Sequence, residues 1–529
     1  MPNSNAHAPR LRACWVLTAA LLACSPSELA AQRRRGAKSE NWPFGLSPAQ
    51  ASDPMVQKRD LFNLGMIGAK AWDATRKEPA ALRSSGRRQF RNDSKSDGDA
   101  GPTKLVVRAL LGGAPAQRAG LQLGDEIVGI GQQKFDKGCF QPFADALTKA
   151  EAETGVVVLD VVRAGKQIAV AVKLKKGGKD FSEPTKGKAR DKILAAALQW
   201  LAEHQEGDGG YPATLGGMNG RVVNACLAGL AWLAGGSTAR AGKYRTNIHK
   251  AEEFVVRGLW AKDTSTPSGA GANWDQSTWR LAYASLFLGE LLQTGKNPKL
   301  RATLQKIADE LAARQEVSGG YGHGPGGKNA LGYIELNILG ALVMSGLGQA
   351  KQAGCKIADP AIQKLDAYLQ ASAGEDGGVG YADGPGQKGM GNIGRTAAAW
   401  LGAVGLGRRA DPWTKKMEGY VRAHVADVMH GHASLMQHIT LAGVAAKALG
   451  SDAEAAFWKV MQRDMTLARA PDGSLQSRPW HESLLMESNT DVSMGEVWTT
   501  ASWAIVLGAE AVKAKKGGLP GWCGKNSSQ

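Results

Sequence analysis

Trp200-Leu-Ala-Glu-His-Gln-Glu-Gly-Asp-Gly-Gly-Tyr211 decides the fold of this chain, because Arg314-Gln-Glu-Val-Ser-Gly-Gly-Tyr321 repeats it. In both stretches an amphipathic helix runs into a glycine-rich turn that ends on tyrosine. An Ala/Leu-rich helix closed by glycine then follows. The first unit is Ile193 to Gln205, the turn Gly207-Asp-Gly-Gly-Tyr211, and Val222 to Gly235. Leu304 to Gln315 with Leu331 to Gly346, and Ile362 to Ala371 with Ile393 to Gly405, have the same form. Units near Ala251 to Gly295, Trp413 to Gly450 and Ala453 to Gly508 complete six, at a period of roughly 45 to 55 residues. The second helix of each unit is apolar or small almost all round, as in Thr396-Ala-Ala-Ala-Trp-Leu-Gly-Ala-Val404, so it must be buried on every side. The first helices are amphipathic: Leu198, Leu201 and Ala202 oppose Gln199, Glu203 and Glu206. Six such pairs predict a closed ring, inner helices sheathed by outer ones, which removes the exposed ends an open solenoid must cap.

The Gln-Glu-Gly-Asp-Gly-Gly-Tyr phrase resembles the repeat of squalene cyclases and protein prenyltransferases. That resemblance implies an (α/α)6 toroid over residues 191–515, with a tail at 516–529. In that family the turn is structural, so it speaks for fold and not for chemistry.

Upstream lies Gly112-Gly-Ala-Pro-Ala-Gln-Arg-Ala-Gly-Leu-Gln-Leu-Gly-Asp-Glu-Ile-Val-Gly-Ile130. Pro115 suits the first position of a short helix, where its missing N–H is an orphan anyway. Gly120 ends that helix, Gly124-Asp125 turns the chain, and Ile127, Val128 and Ile130 begin a strand. Lys104 to Leu110, Val156 to Val162 and Gln167 to Leu174 read as further strands, the last two joined at Ala164-Gly165-Lys166. Phe140 to Glu151 reads as a helix with Phe143, Ala146, Leu147 and Ala150 on one face. The run resembles the signature of PDZ domains, with Gly131-Gln132 where that family usually has Asn-Gly. The resemblance implies a peptide-binding module over 56–176, an α+β, partly open barrel that takes peptide C-termini of other proteins as an added strand. Leu64-Gly65-Met66-Ile67 is similar to the family's carboxylate-binding loop. The basic, Ser- and Asp-rich stretch at 73–103 reads as a disordered insertion. The whole chain resembles secreted bacterial proteins, a family of unassigned activity, that join a PDZ domain to such a toroid.

The N-terminus gives the destination. Arg10 and Arg12 precede the apolar run Ala13 to Cys24, too short to span a bilayer, and Ala30-Ala31 follows. Residues 1–31 therefore read as a secretory signal peptide. Leu21-Leu22-Ala23-Cys24 also resembles a lipobox, which offers a lipid anchor on Cys24. An exported protein, periplasmic or secreted and without a transmembrane segment, is expected. Basic linkers are expected at 32–55 and 177–190.

At 529 residues, 43% hydrophobic and 21% charged, the chain is a multidomain globular protein. Its net charge of +17 sits largely in Arg33-Arg34-Arg35, Arg76 to Lys95 and Lys173 to Arg190, which are tails and linkers. That distribution argues against a nucleic-acid partner. Cys139, Cys226, Cys355 and Cys523 are too scattered for a zinc ribbon or a disulfide scaffold.

Catalytic signatures are missing. There is no Asp-x-Asp-Asp, no Gly-x-Ser-x-Gly, no His-Glu-x-x-His and no phosphate-cradling loop. No cofactor is expected. What remains is a set of polar and aromatic residues at the mouths of the inner helices, where ligands of a toroid would sit. The candidates for a funnel ligand are Tyr211, Trp274, Tyr321, His323, Tyr333, Asn392, Arg395 and His432, with Asn219, Trp279, Asn337, Tyr381, Asp491, Glu496 and Trp498 beside them. Glu335, read as one turn into an apolar helix, and Asp383 are the candidate carboxylate pair for acid–base work on a glycan. Its alternative role is to partner a helix N-terminus or Arg395. A metal on His430, His432, His438, His323 and Asp383 competes with capping or core roles for the histidines, and no metal is expected. The primary expectation is an exported binding or scaffold protein, with a PDZ domain for peptide C-termini and a funnel for an unknown glycan, lipid or protein. The alternatives are a glycan hydrolase or lyase, and an isoprenoid-binding toroid.

Overall fold

The computed structural model describes residues 61–73, 101–213, 217–262, 275–293, 295, 297–325, 335–382, 388–428, 434–476, 490–508, 519 and 521–522. The signal segment, the 73–103 insertion beyond Asp73 up to residue 100, and the candidates Trp274, Tyr333, Asp383 and His432 lie outside them. Among the described residues no helix is long and apolar enough to cross a membrane.

An N-terminal antiparallel sheet comes first. Its strands are β1 (Phe62–Asn63), β2 (Ala69–Asp73), β3 (Leu105–Leu110), β4 (Glu126–Ile130), β5 (Gln133–Lys134), β6 (Val156–Arg163) and β7 (Lys166–Lys173). They run in the order β1-β2-β3-β4-β6-β7, with β5 hairpinned on β4. Strict alternation sets the inner face: Leu105, Val107 and Ala109 point inward, as do Val157, Leu159 and Val161. The β6–β7 turn is tight because Ala164 and Gly165 both hold positive φ, at 49° and 76°. Short helix α1 (Pro115–Arg118) sits where the proline predicts it, and α2 (Phe140–Lys149) covers the inner face with Phe143 and Leu147. The predicted helix continues to Glu151 only as a π-helical turn, Ala150–Thr154, capped by Gly155 in the left-handed conformation.

Lys179–Ser182 forms a 3-10 turn whose Phe181 is buried in the core of the ring, and helix α3 (Gly187–Glu203) starts inside the expected 177–190 linker. A single buried aromatic turns that basic segment into part of the body.

Six helix pairs follow: α3 with α4 (Met218–Ala234), α5 (Arg245–Gly258) with α6 (Ser277–Gln293), α7 (Pro298–Ala313) with α8 (Asn337–Gln352), α9 (Asp359–Ala371) with α10 (Ile393–Gly405), α11 (Pro412–His424) with α12 (Leu435–Leu449), and α13 (Ser451–Ala468) with α15 (Glu496–Gly508). The short α14 (Thr490–Met494) precedes the last inner helix. Inner helices pack in the cycle α4-α6-α8-α10-α12-α15 and back to α4, so the ring closes. Close approach is made by small residues: a Cβ on Gly402 would lie 2.6 Å from the Met344 carbonyl carbon.

The repeated turn has a physical reason. Gly209, Gly319, Gly377 and Gly473 all hold φ between 89° and 97°. A Cβ at each would meet the carbonyl oxygen of a neighbouring outer helix, at 2.1 Å from Lys250, 2.4 Å from Lys364, 2.7 Å from Lys416 and 3.1 Å from Ala196. The last of these joins the sixth unit back to α3, sealing the outer layer as well.

Candidate functional site at the mouth of the ring

Each turn delivers the start of an inner helix to the same end of the ring, and the polar side chains of those helices cluster there. Across the lumen, Gln437 Nε2 of α12 donates to Tyr283 Oη of the facing helix α6 at 2.9 Å. The Trp498 ring of α15 meets Tyr283 edge-on at 5.9 Å. Burial pushes the Tyr283 phenol well above its ordinary range, so it stays a neutral donor and acceptor. Beside them Asp491 accepts from Ser434 Oγ at 2.5 Å, Met436 N at 3.0 Å and Trp498 Nε1 at 2.9 Å. Burial raises its pKa and these bonds oppose the rise. Asp491 thereby helps to cap the buried N-terminus of α12. A cavity of about 10 Å³, room for one water, lies next to it between Met436, Gln476 and Trp503.

His323 is the neighbouring polar group on the turn of the third unit. Trp279 Nε1 donates to its Nδ1 at 2.7 Å, and burial lowers its pKa to about 4. The ring is neutral, with its proton on Nε2, because Nδ1 is the acceptor. Arg395, third in α10, donates to the carbonyls of Val379 at 3.1 Å and Met390 at 2.9 Å and lies 5.8 Å from the Tyr381 ring. Burial lowers its pKa to about 10, and no carboxylate pairs with it among the described residues. Asn392 caps the same helix through Gly394 N and Arg395 N.

Several expected funnel residues are tied into the wall instead. Tyr211 and Tyr321 are buried, and their hydroxyls donate to Leu201 O at 2.6 Å and Leu311 O at 2.9 Å, ten residues back on the outer helix. Their role is to brace the repeated turn. Glu335 precedes helix α8 and is not a turn inside it, since the helix begins at Asn337. Its carboxylate accepts from Ser318 Oγ at 2.6 Å and fills the space where a Gly320 Cβ would stand. The expected Glu335–Arg395 contact is replaced by these bonds. No group of three or more His, Cys, Asp or Glu side chains is gathered to hold a metal among the described residues. Cys139, Cys226 and Cys355 are buried cysteines.

The sheet domain reaches this end of the ring. Lys70 of β2 is buried and donates to Gln476 Oε1 at 3.1 Å. Burial lowers its pKa, while Glu496, the first residue of α15, is raised by burial against the pull of Lys70. Both Glu496 carboxylate oxygens are shielded from solvent. Lys70 gave no sign in the sequence, sitting in a strand beside small residues. The predicted carboxylate loop Leu64–Ile67 forms a 3-10 turn in which Leu64, Gly65 and Ile67 are buried.

An N-terminal antiparallel sheet joined to a closed ring of six helix pairs with a polar mouth defines the class of this protein. Residues 190–509 match the family described as a domain of unknown function, DUF6288, and the chain belongs to that family. No curated protein matches it. Among solved structures it is similar to an inactive variant of an α-1,6-mannanase of Salegentibacter sp. in complex with α-1,6-mannotriose. That similarity has 9% identity and a TM-score of 0.42, over 60% of this chain and 99% of that one. Cellobiose 2-epimerase from Bacillus thermoamylovorans is similar at 10% identity and a TM-score of 0.40, over 59% and 98%. A protein from Actinoplanes is similar at 12% identity and a TM-score of 0.26, over 60% and 98%.

Proposed function

We propose that the chain is an exported protein whose ring mouth takes a hydroxyl-rich, carbohydrate-type ligand. One observation carries the reading: buried polar side chains gather where the inner helices start, and the helices continue mostly as apolar and small residues, with Ser285, Glu290, Ser345 and Gln349 as exceptions. Asn224, Asn337, Asn392, Gln437 and Asp491 are all buried at that end. Two of them are incompletely used, since Asn224 Oδ1 and Asn337 Oδ1 are shielded from solvent and accept no hydrogen bond. An unpaired buried acceptor costs about 1–3 kcal/mol, and a ligand rich in hydroxyl donors relieves that cost where the mouth opens around it to uncover these oxygens. An isoprenoid would leave these acceptors unpaired, which disfavours a lipid cavity. The PDZ resemblance of the sheet domain adds a module for peptide C-termini, which suits a scaffold in the bacterial envelope.

A catalytic version is supported by Glu496. Burial beside Lys70 keeps its carboxyl protonated toward neutral pH, and a ligand that uncovers it would find a general acid there. Glu335 is engaged by Ser318, so Glu496 replaces it as the candidate acid of a glycan hydrolase or lyase.

Calorimetric titration of the full chain with manno-, gluco- and xylo-oligosaccharides tests the reading against farnesol. Binding of one oligosaccharide class, weakened at least tenfold by Asn337→Leu, is expected. Farnesol binding with no oligosaccharide binding overturns it. Turnover lost in Glu496→Gln separates enzyme from binding protein.

A further inference from the structure

We infer that the groove which a PDZ fold offers to a peptide C-terminus is filled from within, by the ring's own segment Thr466–Gln476. The sheet domain is thereby a fixed wall of the mouth, and outside peptides reach its groove only when that segment is displaced. The inference rests on the PDZ reading of the sheet domain.

The groove would be bounded by the loop Leu64–Ile67, the β1–β2 hairpin and helix α2; β2 is paired with β1 and β3, so the part to be filled is the side-chain pocket between loop and helix. The end of α13 packs against both that loop and α2. Leu467 is 2% exposed and belongs to the apolar core of the sheet domain, with Leu64, Ile67, Phe143 and Leu147, and not to the core of the ring. Among the described residues it is the one ring residue in that core, and an apolar side chain there occupies the place of a peptide's terminal side chain. At the loop itself, a Cβ on Gly65 would stand 3.2 Å from Thr466 O, so the ring backbone is already in contact where a carboxylate would approach.

Polar contacts fasten the segment along its length. Asn63 Nδ2 donates to Leu467 O at 2.6 Å and to Arg469 O at 3.0 Å. These carbonyls belong to the last turn of α13 and to its C-cap, where the helix itself leaves acceptors unpaired. Arg469 forms a two-point ion pair with Glu151, at 2.6 and 2.8 Å. A Cβ on Gly68 would lie 3.1 Å from Pro471, and Lys70 closes the far end on Gln476. Each contact comes from the sheet-domain elements that bound the groove or adjoin them. Mass action favours the resident segment, because its tether gives it an effective concentration in the millimolar range or above.

The test uses the full chain and a fluorescein-labelled decapeptide ending in a free-carboxylate leucine, with its amidated twin as control. Anisotropy is read for the wild type and for Leu467→Asp/Arg469→Ala. Binding of the free-carboxylate peptide at least tenfold tighter in the variant supports the inference. Equal affinity in both forms overturns the inference and leaves the PDZ reading standing. Absence of binding in both overturns the PDZ reading and the inference with it. Should the variant fail to fold, hydrogen exchange of the wild type decides. Joint slow exchange of the amides at 64–68 and 466–470, unchanged by excess peptide, supports cis occupancy, and fast exchange of either segment overturns it.

Discussion

Removing one partner of the Glu151–Arg469 pair tests whether sheet and ring are one cooperative body. The side chains are 5% and 8% exposed and the pair has two short bonds, so Glu151→Met leaves a guanidinium enclosed without its counter-ion. Breaking a buried pair in this way costs about 3–5 kcal/mol. With an unfolding entropy near 2.1 cal/mol/K per residue and a cooperative unit on the order of 400 residues, the midpoint falls by about 4–6 °C. Glu183→Gln is the control: its pair with Lys186 is just as short, at 2.5 Å, but the side chains are 59% and 68% exposed. An exposed pair contributes about 0–1 kcal/mol, so its loss moves the midpoint by at most about 1 °C. The double variant Glu151→Met/Arg469→Leu removes both charges and regains most of the loss, because no charge is left buried. Differential scanning calorimetry of the full chain reads all three. A Glu151→Met shift no larger than that of Glu183→Gln refutes the reasoning, as does a separate sheet-domain transition already present in the wild type.

Glu290 gives a pH prediction. Burial raises its pKa to about 7 against bonds from the backbone N–H groups of Trp522 and Gly521 and from Gln349 Nε2. The folded state therefore holds the extra proton, so this contribution is full below about pH 4.5 and is lost as pH rises through about 7. Urea midpoints between pH 5 and 8 should fall less steeply in Glu290→Gln, and an unchanged slope contradicts the assignment. His323, lowered to about 4, has the opposite sign: its contribution is full above about pH 6.5 and fades as pH falls through 4. Its imidazole signals should show a neutral Nε2–H ring at pH 5.5 by nitrogen-detected NMR, and a charged ring there argues against the buried Trp279 contact. Gly209→Ala should cost at least about 2 kcal/mol, because a positive φ is joined by a clash with Lys250 O. Gly120→Ala, at φ 78° with open space around it, should cost only about 1 kcal/mol by thermal melt. Equal losses would show that the close approach does not matter.

The ring was legible because its constraint is local and repeated. Glycine at positive φ, set against the next outer helix, must recur wherever the turn recurs, and Gly209, Gly319 and Gly377 announce it. The same turn at Ala470–Ser474 hid itself, since a serine replaces the second glycine and Leu475 replaces the tyrosine. The sheet was legible for a similar reason: alternation and the Ala164–Gly165 turn are short-range signals. Arg469 shows where locality fails. Read beside Asp472 it suggests a turn-closing tie, yet its partner is Glu151, 318 residues earlier, while Asp472 serves Ser474. A single sequence carries no signal of that pairing, nor of Asn63 reaching Leu467.

The mouth was legible by residue type and not by direction. Tyr211 and Tyr283 look alike as tyrosines near apolar helices, but one braces the wall and the other crosses the lumen. The difference follows from position on the repeat. Tyr211 ends a turn, where its hydroxyl finds the free carbonyl of Leu201 within its own unit. Tyr283 lies within an inner helix whose backbone groups are already paired, so its hydroxyl has no partner of its own unit to reach. A buried tyrosine hydroxyl requires a partner; Ser285 and Ser345 reach the adjacent inner helix at Gly346 O and Ala398 O, whereas Tyr283 reaches across the lumen. Gln437, on the opposite helix and at the same depth, is that partner. A long polar side chain such as Tyr283 or Gln437 in an inner helix is thus a signal for the lumen, where a short one such as Ser285 marks a contact between neighbouring helices.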